Sequence, residues 1–136
     1  MELVVDANVI FSALIKASHT RHLLLTRNVA LYAPEFVLSE VNNHLDELSE
    51  KTNLSKIALS KLLLELISAA EIKIIAGNEF KNELREAKKI TPDPDDVQYF
   101  ALAMKLKCSI WSNDKKLRQQ NAVRIYSTEE LTREQQ

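Results

Sequence analysis

A chain of 136 residues with 46% hydrophobic content, 27% charged residues and a formal net charge of -1 has room for one domain with a genuine core. That balance excludes a disordered tail and a polycation, so bulk charge does not drive binding to a polyanion. A single cysteine, Cys108, excludes an intramolecular disulfide and a thiolate-based zinc cluster within the chain.

The first element, ELVV, is a short β-rich strand that ends at Asp6, and the helical run NVIFSALIKA follows at once. A second helical piece is expected at HTRHLLLTR. VALYAP reads as a strand closed by Pro34, and EFVLSEVNNHLDELSEK as one helix with Val37, Val41, Leu45 and Leu48 on its apolar stripe. The strongly helical LSKIALSKLLLELISAA comes next, so residues 35–70 are expected to form a protruding helical hairpin. EIKIIA is a strand, and Gly77, the only glycine, is expected to let the chain turn out of it. NEFKNELREAKKI is at best amphipathic. In TPDPDD, Asp93 suits an N-cap and Pro94 the first helical position, with Asp95 and Asp96 in the dipole-favoured first turn of a helix reaching about Lys107. SIWS is a strand, DKKLRQQ a short helix and VRIYS the last strand. TEELTREQQ is a terminal helix capped at Ser127 or Thr128.

Strands alternating with helices predict a three-layer α/β fold, with a central parallel sheet of four or five strands flanked by helices, as one domain over residues 1–136. No apolar run reaches the roughly 18 residues of a membrane span, and the chain opens on a strand where a signal peptide would carry basic and apolar regions. A cytoplasmic protein with no membrane contact is the expectation. Cys108, set among apolar residues in MKLKCSIW, reads as a small buried hydrophobe.

Asp6 and Asp114 each follow a short apolar run directly, and ligands of open α/β sheets bind in the crevice at the carboxyl ends of the strands. Glu40 in EFVLSEV and Asp96 in DPDDVQYFALA lie on helical patterns that can be aimed at the same crevice. Of the clustered acids, Asp96 shares a face with Phe100 and Ala103 and is expected to look inward. Asp95 shares one with Gln98, Leu102 and Lys105 and is expected to look outward. Four carboxylates cannot stay ionised and empty together, since two unit charges about 4 Å apart repel by roughly 4 kcal/mol at an effective dielectric of 20. Either some are protonated or hard cations hold them, and all-oxygen ligands suit Mg²⁺ or Mn²⁺. Asn8 and Ser112 are the right size to orient a carboxylate or a water. Lys16, Arg21, Lys115 and Arg118 are candidate phosphate contacts. Trp111 reads as core, and His19, His22 and His44 lack metal-ligand spacing.

With the acids placed, the chain resembles the PIN-domain family of metal-dependent nucleases, and within it the VapC-like toxins of VapBC-type toxin-antitoxin modules. The stretches that carry this are VVDANVIFSAL, APEFVLSEV, DPDDVQYFALAMKLKCSIWSND and VRIYS, in order and over nearly the whole chain. The resemblance implies that Asp6, Glu40, Asp96 and Asp114 are the acidic quartet around Mg²⁺ or Mn²⁺, with Asn8, Ser112 and Asp95 in support. It implies an RNA substrate, hydrolysis to a 5′-phosphate and a 3′-hydroxyl, a cognate antitoxin and a homodimer. Ala7 stands where many relatives have Thr or Ser, and Trp111 where an aliphatic residue is commoner. Two other readings compete: a phosphotransferase with Asp6 as nucleophile, which Asn8 disfavours because such sites usually carry a second acid there, and a PIN-like module that binds nucleic acid or protein without cutting.

Overall fold

The computed structural model describes residues 1–16, 18–26 and 28–134. Ala17, Arg27, Gln135 and Gln136 fall outside this set, and with them the ends expected for the first, second and terminal helices.

Five parallel strands make one sheet: β1 (Glu2–Val5), β2 (Ala30–Pro34), β3 (Lys73–Ile75), β4 (Ser109–Trp111) and β5 (Ile125–Tyr126), in the order β3-β2-β1-β4-β5. The helices are α1 (Ala7–Ile15), α2 (His19–Thr26), α3 (Phe36–Asn43), α4 (Leu45–Thr52), α5 (Lys56–Ala69), α6 (Leu84–Ile90), α7 (Val97–Leu106) and α8 (Thr128–Glu134). The α/β class and the parallel sheet are therefore as the alternating pattern predicts. Leu3, Val4 and Val5 of the central strand are fully buried, which is why β1 reads as a continuous apolar run with no alternation.

The strand order positions the site. From β1 the chain steps to β2 and then β3 on one side, while β4 returns to the other side of β1 and is followed outward by β5. Right-handed crossovers then put the helices between β1 and β3 on one face and those between β3 and β4 on the other. Helix α7 packs on β1, β2 and β4, and α1 packs on α2, α3, α4 and α5. The direction of winding reverses between β1 and β4, so the crevice opens at their carboxyl ends.

Three local expectations need correction. The segment expected as one helix from Glu35 is two, α3 and α4, broken at His44, whose φ of -109° and ψ of 11° lie outside the helical well. The break redirects the chain so that α4 packs on both α5 and α1. Gly77 begins a 3₁₀ turn (Gly77–Glu79) without a positive φ, and a Cβ there would meet nothing within 4 Å, so the turn does not depend on glycine. The helix expected from Pro94 is a separate 3₁₀ turn (Pro94–Asp96) capped by Asp93, which accepts from the Asp95 N–H at 3.0 Å; α7 proper starts at Val97. It ends at Lys107, which takes a left-handed conformation with φ of 55°.

The terminal helix is capped at Ser127. Its hydroxyl accepts from the Glu130 N–H (3.1 Å) while the Glu130 carboxylate accepts from the Ser127 N–H (3.0 Å), a reciprocal capping box. Trp111 is fully buried and donates its indole N–H to Thr128 at 3.0 Å, a core role that also ties α8 to β4.

Candidate metal centre

Sheet register brings the first and last acids together. Val5 pairs with Trp111, and the Asp6 N–H donates to the Trp111 carbonyl at 3.0 Å, so Asp6 and Ser112 emerge side by side at the strand ends. Asp6 is buried, 5% exposed, and caps α1 by accepting from the Ala7 N–H at 2.8 Å through Oδ1. Its other oxygen, Oδ2, accepts from the Ser112 hydroxyl at 2.7 Å. Ser112 Oγ in turn accepts from the Asn8 amide (3.2 Å) and from the Asp114 N–H (3.0 Å). One buried serine thus joins Asp6, Asn8 and Asp114.

Glu40 sits on α3, half-buried, and its Oε1 accepts a hydrogen bond from the hydroxyl of Tyr99 on α7. Asp96 ends the 3₁₀ turn before α7 and makes no capping bond with its side chain, so the carboxylate is not spent on the helix start. Asp95 is exposed, in line with the outward face expected for it, but its charge acts on Glu40. Asp114 caps the 3₁₀ turn Lys115–Arg118 by accepting from the Lys116 N–H at 3.0 Å.

Electrostatics makes a group of these acids. Burial pushes the Asp96 carboxyl up to about 7, and Asp6, Asp93, Asp114 and Glu40 each push it further in that direction. Burial likewise raises Asp6 to about 6; the Ser112 and Ala7 hydrogen bonds hold it down, while Glu40 and Asp114 raise it. Glu40 is raised mainly by burial and is held down by the Tyr99 bond and by His44. Among the described residues, no three His, Cys, Asp or Glu side chains are drawn into ligating geometry. The four acids are therefore electrostatic neighbours at one end of the sheet and not a closed ligand set. An all-carboxylate, mutually repelling donor set fits a hard divalent cation, which neutralises that repulsion and favours oxygen ligands.

The basic candidates divide. Arg21 donates Nε–H to the Ala13 carbonyl at 2.6 Å, which ties it to helix α1, and Arg118 is paired with Glu130. Lys16 and Lys115 are exposed, and Lys115 borders a cavity of about 440 Å³ of mixed charge, lined also by Ser112, Arg118, Arg133, Glu129 and Glu130.

Sequence reasoning missed Tyr99 and His44. His44 reaches back to the Glu40 carbonyl through Nδ1 at 2.8 Å and lies against Phe11, ring centroids 5.0 Å apart. A signal for Tyr99 was present: it stands three positions after Asp96, one helical turn, in a run otherwise apolar after Gln98.

With this fold and site, the chain belongs to the PIN-domain family, whose model matches residues 4–136. PIN domains are generally nucleases, and generally depend on divalent metals. Two solved structures share the fold. One is a chain of the VapBC2 complex from Rickettsia felis bound to a DNA fragment from their promoter, 17% identical, with a TM-score of 0.61 over 93% of this chain and 98% of that one. The other is PAE2754 from Pyrobaculum aerophilum, 18% identical, with a TM-score of 0.67 over 98% of this chain and 88% of that one. No curated protein sequence matches the chain significantly. Among the described residues, no helix is long and apolar enough to cross a membrane.

Proposed function

We propose that residues 1–136 act as one PIN-like domain and a metal-dependent endoribonuclease, the toxin of a VapBC-type module held in check by a cognate antitoxin. The observation that carries this is the placement of Asp6 and Asp114 at the winding reversal between β1 and β4, joined through the buried Ser112 hydroxyl, with Glu40 and Asp114 raising the Asp6 carboxyl and Asp6, Glu40 and Asp114 raising that of Asp96. These four would hold Mg²⁺ or Mn²⁺, which when bound supplies an activated water and neutralises charge on the phosphate under attack.

The chain's own residues do the rest. Ser112 fixes Asp6 in one orientation by occupying Oδ2, and Asn8 fixes Ser112. Asp96, whose side chain makes no capping bond at the start of α7, keeps its carboxylate available to the site. Lys115, exposed beside Ser112, is placed to meet a substrate phosphate. Hydrolysis in this sense leaves a 5′-phosphate and a 3′-hydroxyl. RNA as substrate, the antitoxin and a homodimer rest on family likeness, and the VapBC2 neighbour, a toxin-antitoxin pair, supports the partner.

The test is cleavage of labelled single-stranded and structured RNAs by the purified protein in Mn²⁺ or Mg²⁺, against EDTA and Asp96→Asn. Metal-dependent cutting that disappears in the variant supports the reading. Binding of RNA or protein in every condition with no cutting would move the assignment to the non-catalytic module.

A further inference from the structure

We infer that Tyr99 is a positioning residue for the metal centre: its phenol locks one oxygen of Glu40, leaving the other as the ligand. The inference rests on the proposed metal-dependent reading and concerns a residue outside the acidic quartet.

Three observations carry it. Tyr99 is fully buried, and its hydroxyl donates to Glu40 Oε1 while Oε2 has no hydrogen-bond partner among the described residues. The two residues come from different elements, α3 and α7, 59 positions apart, so the bond is a tertiary contact and not a local helix contact. Phe36, one turn before Glu40, meets the Tyr99 ring edge-on at 6.3 Å between centroids, which holds the ring that carries the hydroxyl.

The chemistry follows from those contacts. A glutamate has three side-chain torsions, and a half-buried one with no partner would sample several rotamers. A hydroxyl donating to a carboxylate is a strong bond, and here it comes from a phenol whose ring is fully buried. Glu40 therefore presents one oxygen in one direction, and an incoming cation meets a carboxylate already oriented. Such outer partners typically change metal affinity by about 10- to 100-fold when removed.

The test is Mn²⁺ binding to the purified full chain, read from the loss of the free-ion paramagnetic signal, for wild type, Tyr99→Phe, Glu40→Gln and the double variant. Phenylalanine keeps the ring and its packing on Phe36 and deletes only the hydroxyl. The expected result is Mn²⁺ affinity roughly 10- to 100-fold weaker in Tyr99→Phe, and little further loss when the change is made on Glu40→Gln. RNA cleavage by Tyr99→Phe should recover at saturating Mn²⁺, with the metal requirement shifted and kcat nearly restored. Equal Mn²⁺ affinity in wild type and Tyr99→Phe overturns the inference, as does a Tyr99→Phe loss of the same size with and without Glu40. A fall in the metal-free thermal midpoint with unchanged Mn²⁺ affinity assigns the phenol to folding alone and overturns it too. Wild type that takes up no Mn²⁺ overturns this inference together with the metal reading. Wild type that binds Mn²⁺ but cuts no RNA counts against the proposed nuclease alone, and the affinity comparison still decides the role of Tyr99.

Discussion

The Ser112 hydroxyl donates to Asp6 Oδ2 at 2.7 Å, joining the carboxyl ends of β4 and β1 across 106 positions of chain. Both residues are buried, so the bond fixes the one acid of the quartet with the least access to water. Ser112→Ala removes it and leaves a buried carboxylate oxygen without a donor. The expected cost is about 1–2 kcal/mol of stability at neutral pH, measured by urea unfolding against wild type. The Asp6 carboxyl should then titrate above its present value of about 6, since this hydrogen bond is the larger of the two holding it down.

Stability of the metal-free protein should fall as pH rises from about 4 to about 7. Asp6 and Asp96 have folded values of about 6 and about 7 against an ordinary 3.8, so across that window the folded state binds more protons than the unfolded state. The contribution of these two groups is therefore a loss of stability with rising pH, complete once both are ionised and absent below the unfolded value. Glu130 acts in the opposite sense at lower pH: its carboxyl is held down to about 2 by Arg118, so its contribution is lost as pH falls from about 4.5 toward 2. Urea midpoints in EDTA across pH 2 to 8.5 would test both parts. Saturating Mn²⁺ should remove or reverse the decline, because the cation binds the ionised carboxylates of the folded state and stabilises it by an amount that grows with the logarithm of the metal concentration.

Asp96→Asn should separate stability from function. At pH 8 the wild-type Asp96 carboxylate is ionised against its burial and against Asp6, Asp93, Asp114 and Glu40, and the neutral amide removes both costs, so the metal-free variant should melt at or above the wild-type temperature. The same variant should lose stabilisation by Mn²⁺ and lose cleavage. A variant that melts lower while keeping its Mn²⁺ response would show that Asp96 is a structural acid.

Ser127→Ala should open the capping box of α8 and cost about 1 kcal/mol, a fall of several degrees in the thermal midpoint. The effect should be on stability, because among the described residues the Ser127 hydroxyl bonds only to the Glu130 N–H at the start of α8. Calorimetry together with RNA cleavage at a temperature well below the transition separates the two.

The amino-acid sequence by itself determined the elements whose causes are local. The buried run Leu3–Val5, the Asp6 cap after it, the Asp93 cap and the alternation of strand and helix are written in neighbouring residues, so the α/β class and the PIN likeness were legible without coordinates. The break at His44 was not, because the apolar stripe continues through it from Val41 to Leu45 and periodicity alone favours one long helix. Only the tertiary structure decided strand order, and with it the neighbours of each acid: Asp6 meets Ser112 because β1 lies beside β4, and Glu40 meets Tyr99 because α3 and α7 flank one crevice. Those pairings depend on contacts dozens of residues apart, whose formation rests on burial of the whole sheet and not on the conformational preference of any single segment.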